Sequence, residues 1–149
     1  MSKALHGPLL PNEAKFLAPL GAAFFEEAAL PGKFSDQVFV ETWRTLIESG
    51  SGVAVVTTVD GVVVAAAGAY IAHSPMTGDL EASEAFFYAL PEHRGVAMPL
   101  FQQLENIAKA RGAVRMMMIH LSGPREETLR KLYQRRGYRA IEHVYTKEL

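Results

Sequence analysis

The chain has no cysteine. Disulfides, thiolate metal sites and a cysteine nucleophile are therefore excluded, and a reducing compartment fits. Nor is there an excess of either charge. Fifteen Lys and Arg against sixteen Asp and Glu leave a formal net charge of −1, which gives no whole-protein field to draw in nucleic acid or an anionic membrane. The start MSKALHGPLLP lacks the sustained apolar stretch of a signal peptide. The most apolar window, Val53 to Ala72, is crossed by Asp60-Gly61 and rich in β-branched residues, which describes two strands rather than a membrane helix. The histidines, His6, His73, His93, His120 and His143, show no paired metal spacing. No Gly-x-Ser-x-Gly elbow, P-loop, internal repeat or long linker occurs. The expectation is a single soluble, cytoplasmic domain over 1–149, monomer or homodimer, with no metal, nucleic-acid or membrane partner.

What is present is a regular alternation of periodic segments. Asn12 and Glu13 can open a helix through Phe16, Leu17, Leu20, Phe24 and Phe25, unless Pro19 marks its true first turn. Ser35-Asp36 opens a second helix, with Val38, Phe39, Thr42, Trp43, Leu46 and Ile47 on one face and Gly50 at its end. The acidic residues on both helices are read as a solvated face. Val53–Val59 and Val62–Ala72 read as a hairpin across Asp60-Gly61. Glu84–Leu90 reads as a strand buried on both faces, ended by Pro91. A helix from about Ala97 to Arg111 follows, then a strand over Val114–Leu121, a helix over Glu126–Arg136 and a last strand over Tyr138–Lys147. The order is α α β β β α β α β, with room for a short strand in the first eleven residues. It predicts an α/β (α+β) fold: a central mixed, mostly antiparallel sheet flanked by helices.

The segment Phe86 to Gln102 carries the most chemistry. Where a strand ends and a helix starts at once, the first helical N–H groups and the helix dipole make an anion site. Gly95 permits close backbone approach and Arg94 can add charge. The run Ala89-Leu90-Pro91-Glu92-His93-Arg94-Gly95 resembles the pyrophosphate loop of the GNAT superfamily of acyl-CoA N-acyltransferases. Downstream, Leu132-Tyr133-Gln134-Arg135-Arg136-Gly137-Tyr138 resembles that family's Leu-Tyr-x-x-x-Gly-Phe/Tyr segment. The element order matches over almost the whole chain. Val96, Ala97, Met98 and Pro99 complete the loop, and here the pattern changes. Ala97 stands where a Gly is usual, adding a Cβ where the backbone should approach the pyrophosphate, and Pro99 removes one N–H while suiting a first helical turn. Glu126 occupies the place of a frequent Asn.

The resemblance implies acetyl transfer from acetyl-CoA to a primary amine, by direct attack in a ternary complex. It implies a backbone N–H near Ala89 or Leu90 that holds the thioester or pantetheine, and CoA contacts from Arg94 through Met98. It also implies that Tyr133 protonates the departing thiolate, which a phenol can do because it stays protonated at neutral pH. Glu84 and, beside it, Glu81 are the candidate bases, acting directly or through a water. Burial would raise either carboxyl usefully, although from the residues alone each reads as a solvated hairpin-edge carboxylate. His120 closes the Met-rich strand and reads as structural. The acceptor is a small-molecule or peptide amine. A non-catalytic CoA-binding or interaction module on the same fold is the alternative, and a small α/β domain without a CoA site is a third.

Overall fold

The computed structural model, which describes residues 3–149, begins with a short edge strand β1 (Ala4–Pro8) and a 3-10 segment (Pro11–Leu17). The helix α1 (Ala18–Glu27) then starts with Pro19 in its first turn, the later of the two starts the sequence allows. Asn12 does not cap it; the Leu10 N–H instead donates to Glu13 Oε1 at 2.8 Å. Helix α2 (Asp36–Ser49) has Ser35 as its cap, whose Oγ accepts from Val38 N at 3.3 Å, and ends on Gly50 at φ 80. Strands β2 (Gly52–Val59) and β3 (Val62–His73) form the expected hairpin. Asp60 and Gly61 both take positive φ, 49 and 80, as a tight hairpin turn requires. Strand β4 (Leu80–Ala89), helix α3 (Pro99–Ala110) and the short β5 (Arg115–Met117) follow.

The chain divides into two compact units, the first running to Ile119 and the second from His120 to Leu149. In the first, the five strands lie in the order β1-β2-β3-β4-β5, antiparallel except for the parallel β4–β5 pair. Two buried clusters occupy the opposite faces of this sheet. On one, Leu100, Leu104 and Ala108 of α3 pack on Val53, Val55, Ala65, Ala67 and Ala82. On the other, Leu17, Leu20 and Trp43 pack on Ala54, Val56, Ala66 and Phe86. The small residues of β3 let α2 come close. A Cβ on Gly68 would lie 2.5 Å from the Trp43 ring and 2.6 Å from Phe86, so only glycine fits there. Full burial of Leu100 and Leu104 contributes roughly 1.5–3 kcal/mol each.

Several sequence expectations need correction. Strand β4 starts at Leu80 rather than Glu84, and its residues alternate between the two clusters instead of being buried throughout. The reason is that β3 extends to His73 and supplies a partner down to Leu80. Strand β5 stops at Met117, well short of Leu121. Just beyond its end the Ile119 N–H donates to the Glu84 side chain, at 2.6 Å, where a backbone ladder would have continued. The last strand, expected over Tyr138–Lys147, is not formed, and residues 138–149 carry no regular element. Val144 and Tyr145 are 86% and 91% exposed, and β-branched residues make a strand only when a neighbouring edge supplies hydrogen bonds.

The second unit is built on α4 (Glu126–Arg135). Its C-terminus explains the Tyr-x-x-x-Gly-Tyr spacing physically. Gly137 sits at φ 88, its N–H donates to Gln134 O at 3.1 Å, and the Tyr138 N–H donates to Tyr133 O at 2.9 Å. The two tyrosine rings then meet, with centroids 5.9 Å apart. This is a Schellman cap with its hydrophobic contact.

Candidate active site

The site residues of the first unit gather at the end of β4 and the turn after it. The β3–β4 register shifts between Gly68 and Ala69: Gly68 faces Phe86 while Ala69 faces Glu84. Ala85 is therefore an extra residue, and Ala85 and Phe86 both turn toward the α1–α2 cluster. Glu84 lies opposite Ala69, on the α3 face of the sheet. It is 6% exposed, and no other charged side chain among the described residues is as deeply buried. The solvated carboxylate expected from the sequence is thus corrected for Glu84, which is buried on the α3 face of the sheet. Burial pushes its carboxyl up to about 7, against the lowering effect of the Ile119 N–H. Glu81 differs. It is partly exposed and accepts from Arg115 Nε at 2.8 Å.

Ladder parity separates the two backbone donors proposed for the thioester. The Leu90 N–H donates to Val64 O at 3.0 Å, so it belongs to the β3–β4 ladder. Ala89, one residue away, turns its N–H and C=O to the opposite edge. Strand β5 pairs only with Glu81, Ala82 and Ser83, so it supplies no ladder partner at Ala89. Phe87 has the same orientation, a donor that sequence reasoning missed because nothing in the sequence reveals the register. Its ring stacks on Phe101 at 4.2 Å, which sets the start of α3 against the end of β4.

In the turn itself, the N–H groups of Gly95, Val96 and Ala97 make no hydrogen bond among the described residues. They form a run of three consecutive donors ahead of α3, an arrangement suited to an anion. The Met98 N–H is already weakly engaged with Gly95 O, at 3.5 Å. Ala97 is fully buried in the α3 cluster. Its side chain is taken up by that core. Pro99 is the first residue of α3, as its missing N–H favours. A Cβ on Gly95 would meet nothing within 4 Å, and its φ is not positive. Neither packing nor backbone conformation demands glycine there. Arg94 donates through Nη2 to Glu27 and through Nε to Ala89 O at 3.4 Å.

In the second unit, Tyr133 is 8% exposed. The His120 ring meets it edge-on with centroids 6.2 Å apart. His120 Nε2 donates to Glu126 O at 2.7 Å, which holds the imidazole at the start of α4. Glu126 thus contributes its backbone carbonyl to that contact.

No helix among the described residues is long and apolar enough to cross a membrane. No curated protein sequence matches the chain. Solved structures do. The ribosomal-protein-alanine N-acetyltransferase of Brucella melitensis biovar Abortus superposes with a TM-score of 0.72 at 23% identity, over 99% of both chains. The aminoglycoside 6'-N-acetyltransferase of Acinetobacter baumannii gives 0.72 at 20% identity, again over 99% of both. The aminoglycoside acetyltransferase AAC(6')-Iy, solved with a CoA-containing bisubstrate analogue, gives 0.78 at 18% identity over 99% of both. At these identities the likeness is one of fold. The profile of the acetyltransferase (GNAT) family matches residues 22–138, and the chain belongs to that family.

Proposed function

We propose that the protein transfers an acetyl group from acetyl-CoA to a primary amine by direct attack in a ternary complex. The observation that carries this reading is Glu84, a buried carboxyl raised to about 7 beside the β4 bulge. A base of that strength is half ionised near neutrality and can take a proton from an ammonium or from a water bound to it. The residues of the turn fit a CoA pyrophosphate. Three adjacent N–H donors, a glycine that packing does not require and the Arg94 guanidinium lie together in this turn. Ala89 supplies the outward N–H suited to a thioester carbonyl. Tyr133, through its phenol, is the proposed acid for the departing thiolate, with the His120 ring against its side.

The acceptor is proposed as a small-molecule or peptide amine. Four of the similar structures carry aminoglycoside acetyltransferase names and one a ribosomal-protein-alanine name, so both kinds of amine belong in a screen. The test is CoA thiol release from acetyl-CoA with a panel of aminoglycosides, polyamines and peptides with free N-termini. Release that depends on one acceptor class and is lost in Glu84→Gln supports the reading. A rise in melting temperature with acetyl-CoA, with no release from any acceptor, would leave a CoA-binding module instead.

A further inference from the structure

Arg94 is held by a residue far away in the sequence. Its Nη2 donates to both carboxylate oxygens of Glu27, at 2.7 and 3.0 Å, across a separation of sixty-seven residues. Its Nε donates to Ala89 O at 3.4 Å, the same outward edge of β4 that carries the Ala89 N–H. Nη1 has no hydrogen-bond partner among the described residues. The guanidinium is thus fixed on two of its three nitrogens, and the third remains to donate. Glu27 is the last residue of α1, and that helix has no basic residue in its last turn. A carboxylate there faces the negative end of the helix dipole, so the position is locally unfavourable. A partly exposed ion pair of this kind contributes little to stability. What it does strongly is orient a planar, five-donor fork.

We infer that Glu27 is a positioning residue for the phosphate-binding turn: through Nη2 it locks the Arg94 fork against the end of β4, reserving Nη1 for an anionic ligand. The inference rests on the reading of this turn as the CoA pyrophosphate site. It also makes α1 part of that site. Without Glu27, the Arg94 side chain regains its rotamer freedom and must be ordered when the anion binds, which weakens binding.

Binding and turnover of two thioesters separate the possibilities: acetyl-CoA, and acetyl-pantetheine, which lacks the pyrophosphate. Glu27→Gln is expected to raise KM and Kd for acetyl-CoA about tenfold, with kcat kept and the acetyl-pantetheine constants unchanged. Glu27→Asp, which retains the charge, should recover part of the loss. A Glu27→Gln enzyme that binds acetyl-CoA as well as or better than the parent would overturn the inference, since Glu27 would then be idle or a competitor for Arg94. So would an equal change for both thioesters. A parent protein that binds the two thioesters equally well would instead overturn the pyrophosphate reading of the turn.

Discussion

The backbone N–H of Ile119 donates to Oε2 of Glu84 at 2.6 Å, just beyond the point where β5 stops pairing with β4. A carboxylate side chain takes over where the backbone ladder ends. The contact favours the ionised form, while burial favours the protonated form, and burial wins. Glu84 therefore titrates near neutrality.

This gives a pH dependence with a definite sign. The folded carboxyl, at about 7, binds its proton more tightly than the unfolded one, at the ordinary value of 4.5. Its contribution to stability is full below the unfolded value and is lost as pH rises through about 7. The gap corresponds to about 3 kcal/mol. The melting temperature of the parent should fall more between about pH 5 and about pH 8 than that of Glu84→Gln, whose amide oxygen can still accept from Ile119. Parallel slopes for the two proteins would show that Glu84 does not titrate in this range.

Activity should follow the opposite limb of the same titration. A base works only when unprotonated, so kcat/KM is expected to rise through about pH 7 and then level. Glu84→Gln should lower kcat by roughly 10²-fold or more while acetyl-CoA still raises the melting temperature. A rate profile flat from about pH 5 to about pH 9 would assign the proton transfer to another group.

Tyr133→Phe keeps the aromatic body that meets His120 and Tyr138 and keeps the backbone cap at Gly137. It removes only the phenolic hydroxyl. A loss of roughly 10²-fold in kcat, with folding and CoA binding retained, is the expected result. Unchanged kcat, measured with a slow-leaving thioester, would remove Tyr133 from the chemistry.

Gly95 and Gly68 should respond oppositely to alanine. At Gly95 the new methyl meets nothing within 4 Å, so stability should be unchanged while affinity for acetyl-CoA falls. At Gly68 the methyl would press on Trp43 and Phe86, and the expected cost is roughly 1–3 kcal/mol of stability. Thermal melts with and without acetyl-CoA check both. An alanine at Gly95 that leaves CoA affinity intact would show that no ligand comes close at that point.

Much of the architecture was legible because its signals are local. Ser35 as a cap, Asp60-Gly61 as a turn, Gly50 and Gly137 as helix stops and Pro99 at a helix start each act within a few residues. The placement of the Ala97 side chain was not legible in the same way. A one-dimensional pattern places a Cβ in the loop but does not say which way it points, and the α3 core claims it. The expected strand over Tyr138–Lys147 failed because β propensity describes a residue's fit to a sheet and does not supply the neighbouring edge.

The turn from Pro91 to Gly95 and the Tyr133–Gly137–Tyr138 spacing were determined by the sequence alone, since each is a short-range device of caps, dihedrals and donors. Three things were decided only by the tertiary structure. The bulge at Ala85 and the ladder parity choose Ala89 over Leu90 as the outward donor. Burial of Glu84 on the α3 face of the sheet raises an ordinary carboxyl to about 7. The meeting of α1 with the turn gives Arg94 the partner Glu27. Register, burial and long-range ion pairs depend on which surfaces the fold brings together, and no window of sequence contains both partners.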